Sequence, residues 1–476
     1  MAVNDILEIG RQGLTSNRQA LQTTAGNIAN ANTPGYTRRR AVVETNNLAI
    51  PQGASLGSGV EVKRVMRIHD QFIGKQIIDE SQSFGGVKAK SENLHRVEIV
   101  AQRDADNVTK LVDKFFGDLR ELSVSPETAA LRNVVQSSGT ALSGGVRNMF
   151  SDLEGMKQDL DYRIEDSVTQ VNGLTRELAS LNKNIVQGSG RKDTVLELED
   201  RRDSLMREIS QKINFQTHMD DLGQISVVTG GCVLVQGDQS NDLFSVRTAA
   251  DGEKGPGSLD IFIKNHGEGR KITAGITDGE LGGMMHVRDK VINPAIDHLD
   301  KIAYHIANEV NAIHRDGEGM DGTSGRNFFK EMGDNSQGAA FRFDLHDSIK
   351  DSHENIAVGM SGNSPGSNEI ALKIANIQNE KGLATSHMGT QENYTINESL
   401  NSLIGRIGVE TQREGNMLSH QQDVVQQLEN YRQSIEGVNL EEEAVNMIQY
   451  QTVFNASAKA MKVGEELFNT ILSLKN

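Results

Sequence analysis

Few residues of this 476-residue chain are spaced for chemistry. Gly317-Glu318-Gly319-Met320-Asp321-Gly322 spells the G-x-G-x-x-G string of dinucleotide sites. It follows a helical pattern rather than a strand, so the context that aims helix N–H groups at a pyrophosphate is missing. Asp316, Glu318 and Asp321 crowd the same stretch, but Met320 stands where a calcium loop needs an oxygen ligand. The segment reads as a solvated turn. His298, His305 and His314 share one helical segment at separations of seven and nine, whereas a zinc-binding helix places its histidines four apart. Cys232, the one cysteine, lies in the apolar run GGCVLVQG and reads as a small buried hydrophobe. One cysteine allows no intrachain disulfide and no multi-cysteine metal set. No G-x-S-x-G elbow occurs, and no carboxylate pair stands alone in apolar surroundings. Arg38, Arg39 and Arg40 read as the solvated or partner-facing side of a strand. These residues imply no enzyme, no cofactor and no metal.

Composition narrows the classes further. The 49 basic against 65 acidic residues leave a formal charge of −16, which argues against a general nucleic-acid binder. No run approaches the ~18 apolar residues of a membrane span, so no membrane insertion is expected. The N-terminus lacks the basic start and apolar core of a cleavable secretory signal. Aromatics make up 4% with no Trp, so aliphatic helix packing must carry most of the burial. At about 100–200 residues per domain, the length suits two to four domains.

The elements that must position everything else are the two ends. In 3–30, Leu7, Leu14, Leu21 and Ile28 recur every seven residues, the period of a coiled-coil seam. Gly10, Asn17 and Thr24 accompany them, so the seam is half apolar. The helix must stop before Thr33-Pro34, because proline disfavours helical geometry at the residue before it. Pro34-Gly35 suits the centre of a type II turn, with Asn30 and Asn32 placed to cap backbone groups. At the other end Leu440, Met447, Phe454, Met461 and Phe468 repeat the heptad, with Ala458 among the companions four residues on. Glu441, Glu442 and Glu443 fall in the first turn, where carboxylates favour the positive helix end. Polar faces rich in Gln, Asn, Thr and Ser suit contact with further copies better than free solvation.

Between the ends, 86–150 is mostly helical, with Ser125-Pro126 as a helix start. A second long helix spans 155–187, GSGR at 188–191 turns the chain, and a helix to 213 returns. From 215 to 280 the period becomes two, in runs such as Ile225–Val227, Val233–Val235, Phe244–Val246 and Ile261–Ile263. Helical period resumes at 285–313. A Gly-, Ser- and Asn-rich stretch, 315–390, holds short strand and helix candidates such as FRFDL and NEIALKIANI, and a last long helix covers 392–435. The reading is a mainly α chain with an inserted small β domain, elongated and multi-domain, its long N- and C-terminal coiled-coil helices pairing together. Its expected domains are 1–60 with 436–476, a long-helix bundle of 61–214 with 281–435, and a β-rich insert at 215–280.

Three blocks then become specific. GNIANANTPGYTRR at 26–39, GSGVEVKRVMRIHDQFI at 57–73 and GVNLEEEAVNMIQYQTVFNASAKAM at 437–461 resemble, in order and at both ends, the flagellar rod, hook and hook-associated protein family. Phe454 precedes NASA where that family more often has Tyr, and the chain is shorter than many members. The hairpin at 155–213 and the segment 293–314 resemble the members found where hook meets filament. The resemblance implies a structural subunit, exported unfolded and built into the flagellum as a mechanical adaptor, with the terminal helices lining an inner tube. It implies as partners further copies in a ring, the hook protein, a second hook–filament junction protein, and an export chaperone at the C-terminal helix. It adds Asn30, Asn32, Thr33, Pro34, Gly35 and Tyr36, and Glu442, Glu443 and Gln451, to the seam residues as an assembly interface. Two alternatives stay open: a hook or distal rod protein, and an exported wall-degrading enzyme with flagellar-type ends, which would need a catalytic pair in 215–390.

Overall fold

The helical periods become long rods of backbone. The computed structural model describes residues 2–45, 59–188, 192–247, 259–265, 268–360, 362, 366–387 and 390–474. In chain order, α1 (Ala2–Ala29) leads to strands β1 (Arg39–Thr45) and β2 (Val60–Arg67), followed by α2 (Gln71–Val124), α3 (Ala129–Gly188) and α4 (Lys192–Lys212). Seven strands come next: β3 (Gln216–Met219), β4 (Ile225–Thr229), β5 (Cys232–Gln236), β6 (Gln239–Ser240), β7 (Leu243–Arg247), β8 (Leu259–Asn265) and β9 (Glu268–Lys271). Helix α5 (Gly279–His286) runs through a π-helical turn, Val287–Ile292, into α6 (Asn293–Arg315). The stretch to 394 holds β10 (Gly317–Glu318), α7 (Ala339–Arg342), α8 (Asp347–Asp351), β11 (Gly359–Met360), α9 (Glu369–Asn376), β12 (Leu383–His387) and β13 (Thr390–Tyr394). Helices α10 (Ile396–Glu436) and α11 (Leu440–Leu474) complete the described chain. The fold is mainly α with an inserted β region and long helices at both ends, as the periods imply.

The chain forms two compact units. One comprises Met1–Phe84, Val171–Asp242 and Gln421–Asn476; the other comprises Gly85–Gln170 and Leu243–His420. In the first unit, the antiparallel sheet β3-β4-β5-β6 buries Val227, Leu234, Val235 and the free Cys232. Asn182 of α3 donates to Ile225 O at 2.8 Å and Gly237 O at 3.0 Å, which fastens the sheet to that helix. In the second unit, five of the chain's 14 phenylalanines meet. Phe115 contacts Phe116, Phe328 and Phe329 at 5.2, 5.4 and 5.8 Å, and Phe329 stacks on Phe343 at 4.7 Å. Aromatic burial is scarce in the chain, but it is concentrated here.

Several sequence expectations change. Helix α3 is one rod of 60 residues, not two helices meeting near 150–155. A helical glycine costs roughly 1 kcal/mol relative to alanine. Gly145 is retained because a Cβ there would stand 2.5 Å from Leu111 Cδ1, so it lets α2 and α3 approach closely. Ser125-Pro126 forms the turn before α3 rather than its first residues: Thr128 N–H donates to Ser125 O at 3.1 Å and the helix starts at Ala129. FRFDL is no strand; Phe341 and Arg342 end α7, and Leu345 makes one isolated bridge to Phe329. NEIALKIANI supplies α9. The strands read together at 215–280 form two separate sheets, β3-β4-β5-β6 in the first unit and β7-β8-β9 in the second. Of the GSGR turn, Gly188 ends α3 and 189–191 lie outside the described residues.

His314 of α6 is part of the packing. His314 is buried, with Nδ1 donating to Arg326 O at 2.8 Å and Nε2 accepting from Ala357 N–H at 2.9 Å, so the ring is satisfied as a neutral donor and acceptor. Burial, first, pulls its pKa to about 4. In the 316–326 turn, Asp321 accepts from Thr323 N–H at 3.1 Å and pairs with Arg326 at 2.6 Å.

The π-helical turn places Arg288 in the core of the second unit. It is 1% exposed, donates to Asp161 at 2.9 Å, and holds both oxygens of Asp289 at 2.7 and 2.9 Å. Burial opposes its charge, but the two carboxylates outweigh burial and raise its pKa. Removing one member of a buried pair strands the other, at a cost of about 3–5 kcal/mol. Arg288→Ala is therefore expected to lose about that much stability in urea denaturation. A loss near zero would show that Arg247, 3.4 Å from Asp161, supports the carboxylate alone.

Candidate assembly site at the paired chain ends

Helix α1 stops where its sequence dictates. Asn30 N–H and Nδ2 both donate to Gly26 O, and Thr33-Pro34-Gly35-Tyr36 closes a turn with Tyr36 N–H on Thr33 O at 3.2 Å. Gly35 sits at φ +80°, the left-handed geometry that glycine adopts without strain. Helix α11 starts on a cap that sequence reading missed: Asn439 Oδ1 accepts from Glu441 N–H at 3.0 Å. Asn two residues before an acidic run is the signal that could have found it.

The two helices pack against each other antiparallel. Gly464 faces Ile6 and Leu7, Gly10 faces Met461, Gly13 faces Ser457, and Asn27 reaches Glu443. The deepest stripe of α1 is small and polar: Gly10, Gly13, Ser16, Ala20, Thr24 and Asn27 are buried. Leu7, Leu14, Leu21 and Ile28 are half-buried beside it. Of the expected seam, the companions Gly10 and Thr24 are the buried members, and Leu7 packs on Gly464. A Cβ at Gly13 would stand 2.8 Å from Ser457 Oγ, and one at Gly10 3.2 Å from Met461 Cβ, so small residues set the helix separation. On α11, Met447, Phe454, Ala458 and Met461 are half-buried, whereas Leu440, Glu442, Gln451 and Phe468 are exposed. Asn32, Thr33 and Pro34 are exposed, and Asn30, Gly35 and Tyr36 are half-buried.

One asparagine ties these parts together. Asn27 Oδ1 accepts from Tyr36 Oη at 2.8 Å and Arg39 N–H at 3.0 Å, while Nδ2 donates to Arg39 O at 2.8 Å and Glu443 Oε2 at 3.1 Å. Its hydrogen-bonding capacity is fully used. Arg38 then clamps α11, through Nε to Glu443 at 2.8 Å and Nη1 to Glu442 at 2.8 Å. Arg39 lies 5.0 Å over the Tyr36 ring and 3.5 Å from Asp200. Two of the three arginines at 38–40 therefore serve contacts within the chain, correcting their solvated or partner-facing reading; Arg40 alone is exposed. Asn27 was not singled out by sequence, although it shares a helical face with Ala20 and Thr24.

Glu436 pins the junction of α10 and α11. It is 2% exposed; its carboxylate accepts from His69 Nδ1 and Asp70 N–H, each at 2.9 Å, and its carbonyl accepts from Arg38 N–H at 2.8 Å. The Glu436 hydrogen bond raises the pKa of His69, against the opposing effect of burial. Burial pushes Glu436 up, but the His69 and Asp70 bonds prevail and hold it below the usual carboxylate range.

Residues 94–329 match the family described as the flagellar hook-associated protein FlgK helical domain. Residues 7–37 match the flagella basal body rod protein family, and 432–474 match the flagellar basal body rod FlgEFG protein C-terminal family. Across 98% of its length the chain is 28% identical to flagellar hook-associated protein 1 of Bacillus subtilis, spanning 97% of that protein. The chain belongs to the flagellar hook-associated protein 1 family. The same-named protein of Salmonella typhimurium is 23% identical over 99% of this chain and all of its own length. The fold is similar to that of the flagellar hook junction protein FlgK from Burkholderia pseudomallei, at a TM-score of 0.66 and 15% identity, covering 76% of this chain and 100% of that one. The resemblance read from the terminal blocks holds, and the chain is a component of the bacterial flagellum.

The His69–Glu436 pair gives a signed pH dependence. His69 has its folded pKa raised, so its contribution is complete below the unfolded value near 6.5 and is lost as pH rises through the folded value. Glu436 is depressed, so its contribution is complete above the unfolded value near 4.5 and is lost as pH falls through the folded one. Wild type minus His69→Gln is expected to show its greatest stability difference between about pH 4.5 and 6.5, declining on both sides, by urea denaturation across pH. A pH-independent difference would mean that the pair does not couple to folding.

Proposed function

We propose that this chain is the structural subunit joining hook to filament. It is exported, then polymerised as a ring in the flagellar axis with hook protein on one side and a second junction protein on the other. The observation that carries this reading is the outer face of α11. One side of that helix packs on α1, while Val445, Ile448, Val463, Leu467 and Ile471 are 55, 63, 53, 44 and 54% exposed. A helix that keeps so many aliphatic side chains in water presents a surface for further copies. The terminal segments 1–60 and 436–476 are the tube-lining domain in this reading. Leu440, Gln451 and Phe468 supply inter-subunit contacts, and Phe454 and Met461 serve the pairing with α1. Before assembly the same apolar face is where an export chaperone would hold α11. The match over 94–329 favours the junction role over a hook or rod role.

A strain lacking the gene is expected to make bare hooks and release flagellin into the medium, and this chain to restore filaments. Ile448→Asp places a charge on the exposed face, where it costs the monomer little, but buries it on assembly at a cost of several kcal/mol. Its purified monomer is expected to melt as wild type does, while cells carrying it stay without filaments. Filamented, motile Ile448→Asp cells would overturn this use of the face.

A further inference from the structure

Beneath the Thr33–Tyr36 turn, within the first unit, lies a recess of about 900 Å³. Its walls come from β2, the start of α2, α4, β3, β4 and the end of α10. Six arginine and lysine side chains line it against three carboxylates. Counting also Asp200 and Glu429, which pair with Arg67 and Arg432, six cations face five anions before His69 is added. The recess is thus close to electroneutral, and what sets it apart is how unevenly its cations are paired.

The cations are not alike. Arg67 is held by Glu199, Asp200 and Asp203, and Arg432 by Glu429 and Glu436. Arg202 donates to Gly223 O at 2.7 Å. The guanidinium of Arg207 makes no hydrogen bond or ion pair among the described residues, although it is half-buried. Burial lowers its pKa, and Arg432 adds to that effect, while Glu429, Asp203 and Glu436 oppose it. Its N–H groups reach solvent in the recess rather than a protein oxygen, so a carboxylate entering there could take them. Gly35 lies beside it, where a Cβ would stand 3.9 Å from Arg207 Nη2.

We propose that this recess is a socket for a carboxylate side chain of a second copy of the chain, with Arg207 as the group that receives it. The proposal rests on the assembly reading above. Each copy carries 65 acidic residues, so a neighbour in a polymer presents carboxylates in plenty. A guanidinium takes a carboxylate in bidentate fashion, and a charge-assisted pair formed only on docking would fix register as well as add affinity. The volume admits a side chain with its flanking backbone, which a site shaped for a small inorganic ion would not need.

The test uses the full-length chain. Arg207→Gln removes a half-buried cation that pairs with nothing in the monomer, so its melting temperature is expected to equal or exceed that of wild type. In the strain lacking the gene, filaments per cell are expected to fall by about tenfold or more, with partial rescue by Arg207→Lys. Arg207→Glu is expected to be worse, and motile revertants of it to carry Lys in place of one acidic residue elsewhere in the same chain. A lowered melting temperature for Arg207→Gln would assign the group to internal structure and overturn the proposal. So would wild-type filament numbers with Arg207→Gln. Sodium sulfate raising the melting temperature of wild type but not of Arg207→Gln, with filaments normal in both, would make the site a free-oxyanion site instead. If the wild-type chain itself restores no filaments, the junction reading falls and the socket with it. If wild type restores them and Arg207→Gln does so equally, the socket alone falls.

Discussion

The architecture of the paired ends depends on one saturated amide. Asn27 accepts twice and donates twice, and its four bonds reach the turn, the first strand and α11. It is 1% exposed, so any bond lost there is not replaced by water. No other residue type fits the position. Asp lacks the donors, Gln would push the amide outward by one methylene, and an aliphatic residue would leave Tyr36, Arg39 N–H and Glu443 short of partners. Arg38 and Glu443 depend on this arrangement in turn, since Glu443 is buried and shares its two oxygens between the guanidinium and the amide.

A small-residue seam answers the same constraint. Coiled coils usually gain stability by burying large a and d residues. Here Gly10 and Gly13 face Met461 and Ser457, Gly464 faces Leu7, and the buried stripe of α1 continues through Ser16, Ala20, Thr24 and Asn27. Close backbone approach substitutes dispersion contact and directional hydrogen bonds for side-chain area. Helix pairs of this kind have one well-defined spacing and little tolerance for rotation. That property suits a subunit whose geometry is repeated in every copy.

Much of this was legible in the sequence, for reasons that differ by element. The ends of α1 and the turn after it follow from Pro34 and Gly35, which act locally. The strands at 225–227, 233–235, 244–246 and 261–263 appear as read, because a period of two survives in short runs. The division of those strands between two sheets is a matter of long-range packing, which no local signal carries. The continuity of α3 across 150–155 has no local signal either: Gly155 stays helical although nothing stands within 4 Å of where its Cβ would be. Within the candidate site, period seven located the two helices and part of their contact, including Leu7, Gly10 and Met461, but not the polar end at Asn27. Small and polar residues give almost no periodic signal, so Asn27 was hidden by the same chemistry that makes it central. The roles of Arg38 and Arg39 need partners that lie far along the chain.

The bond between Asn27 and Glu443 spans 416 residues of sequence. Bringing such distant segments together carries a chain-closure entropy that grows only slowly with length, but it must be met before the contact returns anything. The strands that follow α1 can engage part of its buried face early, through Ser16 on Val60 O and Asn27 on Arg39, whereas the bond to Glu443 waits for α11. The clasp is therefore a late, non-local contact, and a product cut short before α11 never closes it.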